Sequence, residues 1–278
     1  MPNEDPWARD ADVRTADRWR SAAAGWGTAL TRALLDSADL RRSSVVLDVA
    51  AGSGDPALYI AQHVTEGSVV ALDSSRSTLL LAKHQADEMG LGARLRFVHA
   101  DVHQLPFSGS CFDRVTCRFG IMFFADVDTA LKGILRVLKP GGRAAFLAWG
   151  PFEHPFFDST FGTILRLVPG TTIPEPARAM FRFATRGSIH AAVGRTGFCN
   201  ALEHHLILPR IWDGSPEQLW QYQQEISMLF HPLIRAIPVT MRSRVDEAVR
   251  TGLARFQGGN KITIPVQAVL ATAESWLH

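Results

Sequence analysis

The residues best suited to chemistry in this 278-residue chain fall in one stretch, VVLDVAAGSGDPAL at 45–58. Gly52 and Gly54 carry no Cβ and tolerate positive φ, so a ligand can lie directly against the backbone there. The helix expected just beyond, with Pro56 in its first turn and Asp55 or Gly54 as its cap, offers free N–H groups to an anionic group. Gly52-Ser53-Gly54-Asp55-Pro56-Ala57 also reads as GxGxxA, the dinucleotide fingerprint. Asp73 closes the next apolar run about twenty residues on, where that fingerprint places its ribose-binding acid. These two features leave an NAD(P)- or flavin-dependent oxidoreductase open. Three more accompany them. Asp48 lies inside the first apolar run, where a carboxylate needs a cationic ligand group or loop N–H groups as partner. Asp101 follows the third run in HADVHQLPF (99–107), and FDRVTCRFG (112–120) and LKPGGRAAFLAW (138–149) then follow in order.

Ten histidines supply the candidate bases. His154, in WGPFEHPFF (149–157), comes after the fifth apolar run, at the carboxyl end where α/β sheets bind ligands, and is the candidate general base or acceptor-orienting group. His231, between Phe230 and Pro232, is second. His204 and His205 point to opposite faces of a strand, His63, His84 and His190 fall on helices, and His99 and His103 flank Asp101. Phe152, Phe156, Phe157, Phe181 and Phe183, with Trp220, Met228 and Phe230, either build the core of a cap or line an apolar pocket that excludes water.

These residues need elements to hold them. Short apolar runs at 45–50, 68–73, 95–100, 112–119 and 143–149 alternate with amphipathic stretches at 56–64, 76–89 and 127–138. That alternation predicts βαβ units and a mostly parallel, doubly wound sheet with helices on both faces. Lys139-Pro140-Gly141-Gly142 is expected to stop a helix and turn into the fifth strand. Residues 8–40 read as helical. After Trp149 the reading is a short helix at 158–168, a helix at 186–196, a strand at 201–208, helices at 216–230 and 238–256, and a last short strand at 261–265. The two late strands are expected to pair antiparallel at one sheet edge, with 150–184 and 210–258 as a helical cap.

Composition narrows the classes. A net charge of +2 argues against a protein held to nucleic acid by phosphate contacts. No apolar run reaches the roughly 18 residues of a membrane helix, and the N-terminus lacks the pattern of a signal peptide. Cys111, Cys117 and Cys199 form neither a disulfide framework nor a zinc motif, so no metal and a reducing, cytoplasmic setting are expected.

The set VLDVAAGSGD, ALDSS, ADVHQLPF, FDRVTCRFG and LKPGG resembles the class I S-adenosylmethionine-dependent methyltransferases, above all the UbiE-like (methyltransferase type 11) group, over about residues 40–150. The resemblance implies a Rossmann-like, seven-stranded sheet with an antiparallel C-terminal pair. It divides the chain into an N-terminal helical segment covering the cofactor (1–40, with Trp19 and Trp26), a cofactor-binding core (41–150) and a cap with the last strands (151–278). It implies S-adenosyl-L-methionine as cofactor. The turn from Ala50 through Gly52 and Ser53 to Gly54 would pass under its methionine part, with Asp48 supporting the loop and the ammonium. Asp73 would accept the ribose hydroxyls, Asp101 the adenine amino group, and Val102 would offer a backbone N–H, with Ser74 and Leu105 flanking the base. Cys117 and Arg118 would approach the methionine end. Ala51 stands where glycine is frequent in the family. The expected reaction is in-line methyl transfer to oxygen or carbon of a small, apolar aromatic, quinonoid, polyketide or terpenoid acceptor. A non-methylating cyclisation on the same scaffold stays open, because function resides in sites rather than folds.

Overall fold

A computed structural model describes residues 25–277. The expected start of the first helix near residue 8, and Trp19, lie outside the described residues. Within them, α1 (Thr28–Ala38) buries Leu30, Thr31, Leu34 and Ala38 on one face. The alternating region then yields β1 (Val45–Val49), α2 (Ala57–His63), β2 (Ser68–Asp73), α3 (Arg76–Glu88), β3 (Leu95–His99), β4 (Phe112–Arg118), α4 (Val127–Val137) and β5 (Leu138–Trp149). Strands β1 and β2 are buried on both faces: Leu47, Val49, Val70 and Leu72 join one apolar cluster, and Val46, Val69 and Ala71 the other. Such strands read as continuous apolar runs, which is why the sequence places them within a residue or so. Helix α4 shows how the intervening elements begin. Asp126 caps it by accepting from the Thr129 N–H at 3.0 Å, and Val127, Ala130, Leu131, Ile134 and Val137 form its buried stripe.

The remaining elements are α5 (Pro155–Ser159), α6 (Phe161–Leu167), α7 (Glu175–Arg178), α8 (Ser188–Arg195), β6 (Cys199–Asp213), α9 (Pro216–Ile226), α10 (His231–Arg235), α11 (Arg242–Ala254), β7 (Gln257–Gly258) and β8 (Lys261–Glu274). The strands form one sheet in the order β3-β2-β1-β4-β5-β8-β6, with the two-residue β7 paired to β8. The first five are parallel, and β8 runs antiparallel to both β5 and β6. The fold is therefore the expected mostly parallel sheet with an antiparallel pair, flanked by helices. Among the described residues no helix is long and apolar enough to cross a membrane.

Several local expectations need correction. The last strand, β8, covers 14 residues, not five, and β6 covers 15, not eight. Helix 216–230 stops at Ile226, and 238–256 narrows to α11. Lys139-Pro140-Gly141-Gly142 is looped out inside the β4–β5 ladder: Phe112 pairs with Leu138 and Arg114 with Arg143, and Gly141 takes φ +70°. Pro56 is itself the cap residue of α2, without a side-chain cap bond. Asp55 turns away instead to accept from Thr31 Oγ1 at 2.8 Å and to pair with Arg118 at 3.3 Å.

Candidate active site

The carboxyl ends of β1 to β4 open into a cavity of about 660 Å³. Its floor comes from the turns after those strands: Ala50 and Gly52 after β1, Asp73 and Ser74 at β2, Asp101, Val102 and His103 after β3, Phe119 and Gly120 after β4. Its far wall is the cap, through Pro176, Ala179, Arg182 and Leu229. A parallel sheet places such loops at one end, so residues far apart in sequence converge there.

The loop after β1 is built around left-handed residues, with Ala50 at φ +56° and Gly52 at φ +53°. A Cβ added at Gly52 would meet nothing within 4 Å, because that side of the residue faces the cavity. Asp73 holds this loop from the neighbouring strand. Its Oδ2 accepts the Gly52 N–H at 2.8 Å and its Oδ1 the Ser75 N–H at 2.8 Å. The carboxylate reaches the cavity wall with both oxygens engaged by the loop backbone, which fixes its orientation toward a ligand.

Asp101 is set by His103, one of the two histidines that flank it in sequence. The His103 backbone N–H donates to Asp101 Oδ1 at 2.9 Å, and its ring Nδ1 lies 2.5 Å from the same oxygen. Its Nε2 accepts the Asp126 N–H at 3.1 Å, which leaves the ring proton on Nδ1, facing the carboxylate. The backbone bond from His103, then its ring, hold the Asp101 carboxyl below its ordinary range, over the opposing effect of burial.

Asp48 lies fully buried beneath the loop. Its Oδ1 accepts from Thr116 Oγ1 at 2.7 Å, and its Oδ2 has no partner. Burial pushes the carboxyl up to about 8, with the Thr116 hydroxyl and Arg118 acting against the rise and Asp55 and Asp73 adding to it. An orphaned buried carboxyl oxygen of this kind suits a cationic group arriving from outside.

Of the sequence-predicted residues, Ala50, Gly52, Asp73, Ser74, Asp101 and Val102 are brought to the cavity wall together. Asp48, Ser53, Gly54 and Leu105 do not line it: Asp48, Gly54 and Leu105 are buried, and Ser53 is exposed. Cys117 is buried in the core, where burial and then Asp48 push its thiol up to about 12. Arg118 turns to Asp55 and packs its guanidinium against Gly27, away from the cavity. Trp26 packs into the core against Phe156 and Trp212 rather than over the cavity. His154 is fully buried beside Trp149 and Phe157, with neither ring nitrogen partnered. Burial, and then the charge of Arg210, bring its pKa down to about 3, so the ring is neutral.

The aromatic residues of 152–183 and 220–230 mostly form the cap's own core. Phe161 stacks on Phe230 at 3.9 Å, and Phe157 meets Phe152, Phe181 and Phe230. The apolar wall of the cavity comes instead from Phe119, Met122, Phe123 and Phe124, a run directly after β4. Its position, following a parallel strand's carboxyl end, was the signal available in the sequence.

Known proteins match this arrangement. The model of the ubiE/COQ5 methyltransferase family matches residues 29–170, half of the chain. The ubiquinone/menaquinone biosynthesis C-methyltransferase UbiE of Idiomarina loihiensis is 38% identical over 117 residues, covering 42% of this chain and 47% of that enzyme. The enzyme of the same name from Serratia proteamaculans is 38% identical over 186 residues, 63% of this chain and 74% of the relative. The chain thus spans about half the length of the first of these relatives. In structure it is similar to the phosphoethanolamine N-methyltransferase 2 of Haemonchus contortus, with a TM-score of 0.58 at 17% identity over 96% of this chain and 58% of that one. That likeness shows the fold.

Proposed function

Since the chain belongs to the ubiE/COQ5 methyltransferase family, we propose that it binds S-adenosyl-L-methionine in the cavity and passes the methyl to a small apolar acceptor under the cap. One observation carries the reading. Two carboxylates closing successive strands, Asp73 and Asp101, share a single cavity with a positive-φ glycine turn and with Ser74 and Val102.

The residues present fit the cofactor. Gly52 leaves the backbone open to a ligand, and the orphaned Asp48 Oδ2 below the turn suits an ammonium. Asp73, pinned by two N–H groups at the cavity wall, is placed to accept the ribose hydroxyls. Asp101, oriented by His103, takes the adenine amino group, and the backbone of Val102 a ring nitrogen. Bound there, the cofactor supplies a sulfonium-activated methyl, so the protein's task is alignment and exclusion of water. Phe119, Phe123 and Phe124 line the cavity with rings, a surface for an aromatic or quinonoid acceptor. His154 at pKa about 3 is a weak base, and its two unpartnered nitrogens suit orienting an acceptor hydroxyl by a neutral hydrogen bond. Transfer to oxygen or to an activated carbon is compatible with that role. No feature of the site favours the nicotinamide reading of GxGxxA or a cyclisation without methyl transfer.

The test is incubation with S-adenosylmethionine and a panel of phenolic and quinonoid acceptors, with product mass as readout. A gain of one methyl is expected. Cofactor affinity with no methylated product across the panel would contradict methyl transfer to this acceptor class.

A further inference from the structure

Among the described residues, the buried cation of Arg210 has no carboxylate beside it. Arg210, near the C-terminal end of β6, places its guanidinium 3.7 Å from the centroid of the Trp26 ring, 5.1 Å from Phe156 and 5.4 Å from Trp149. Its Nε donates to the Trp26 carbonyl at 2.9 Å, and among the described residues no carboxylate pairs with it. Burial pulls its pKa well below the ordinary arginine value, nearby Tyr222 works against that, and Arg118 adds to it. An arginine stays protonated, so its burial leaves a cation set among aromatic rings. Ring faces compensate a cation only in part.

The neighbours lack acceptors as well. Trp26 Nε1 and Arg118 Nε are buried without partners, and so are both nitrogens of His154, whose ring is 5.8 Å from that of Trp149. Arg118 pairs with Asp55, so among the described residues the box holds one positive charge without a carboxylate partner. It adjoins the cavity through a shared wall: Trp149 stacks on Phe119 at 4.3 Å and 13°, and Phe119 lines the cavity.

We propose that this box is the anion-recognising end of the acceptor site, and that the acceptor carries one carboxylate on a planar apolar body. Arg210 is the recognition residue: its fork matches a carboxylate with two parallel N–H···O bonds, while Trp26 and Trp149 flank the planar part. A single unpaired cation selects a single negative charge, and the surrounding rings disfavour a strongly hydrated dianion. The inference deepens the methyltransferase reading and rests on it for the identity of the ligand as acceptor.

Calorimetric titration of cinnamate and of cinnamamide into the protein saturated with S-adenosylhomocysteine tests it. The acid and the amide have nearly the same shape and differ in charge. Cinnamate is expected to bind on the order of tenfold to a hundredfold more tightly. Arg210→Met removes that preference, and Arg210→Lys, which keeps the charge and loses the fork, restores part of it. Equal binding of the two compounds by the unaltered protein, binding of neither, or a preference that survives in Arg210→Met would overturn the proposal. The unaltered protein decides the matter even where the Met variant does not fold. Binding of S-adenosylhomocysteine is read separately: its loss with the acid preference intact would count against the methyltransferase reading and not against the box.

Discussion

Replacing Asp48 with Asn should stabilise the ligand-free protein at neutral pH while weakening its hold on the cofactor. Burial, as the largest cause, keeps the Asp48 carboxyl at about 8 in the folded chain, whereas an unfolded aspartate titrates near 3.9. Below about pH 4 the group is protonated in both states and contributes nothing to the difference. Above that, the unfolded chain releases a proton that the folded chain keeps. Each pH unit therefore costs about 1.36 kcal/mol, until the folded group itself ionises near pH 8. At pH 7 the cost is about 4 kcal/mol. Asn cannot ionise, and it keeps an oxygen for Thr116 Oγ1. Its added N–H, buried without a partner, takes back about 1–3 kcal/mol. The variant should gain about 1–3 kcal/mol at pH 7 and lose a similar amount near pH 4. Urea unfolding of both proteins at pH 4, 5.5 and 7 measures this. The difference should change with pH at close to the slope above. In the same variant, S-adenosylhomocysteine should bind more weakly and should no longer release the proton that Asp48 gives up when an ammonium settles beside it. Calorimetry in buffers of different ionisation enthalpy reads that proton. A pH-independent stability difference would refute the protonation argument.

Three further outcomes are expected. Gly52→Val puts a β-branched side chain into the cavity at φ +53°; it should abolish cofactor affinity by calorimetry while costing about 1–3 kcal/mol in urea unfolding. His103→Ala frees Asp101 from its ring partner and should weaken S-adenosylhomocysteine binding roughly fivefold to twentyfold, about one hydrogen bond's worth; an unchanged affinity would remove His103 as a positioning residue. His154→Ala should slow single-turnover methyl transfer at least about tenfold without changing cofactor affinity. With the ring held at about 3, the unaltered enzyme should show no inflection from His154 between pH 5 and 9; an unchanged rate in the variant would take His154 out of the reaction.

Most of the cofactor side was legible in the sequence, for a physical reason. Strands β1 and β2 are buried on both faces and read as apolar runs with the glycine turn and Asp73 at their ends, and Asp101 follows β3. The C-terminal half was harder to read. In β8, Pro265 looked like a terminus, yet it stands opposite Pro209 of β6, so the two missing N–H groups coincide at one rung of the ladder. The following VQAVLATAE, left without an element by the sequence pattern, is a strand because it pairs with β5 and β6 on both sides. Side-chain direction was not legible either. Arg118 closes β4 beside the cavity but turns to Asp55, and Cys117 points into the core. His103 was visible only as a neighbour of Asp101, because its second partner, the Asp126 N–H, lies 23 residues away.

Titration of the purified chain with S-adenosylhomocysteine and, separately, with NAD tests the central claim most directly. The account predicts one site for S-adenosylhomocysteine, lost in Asp73→Ala, and no measurable heat from NAD. Saturable binding of NAD with none of S-adenosylhomocysteine would contradict it.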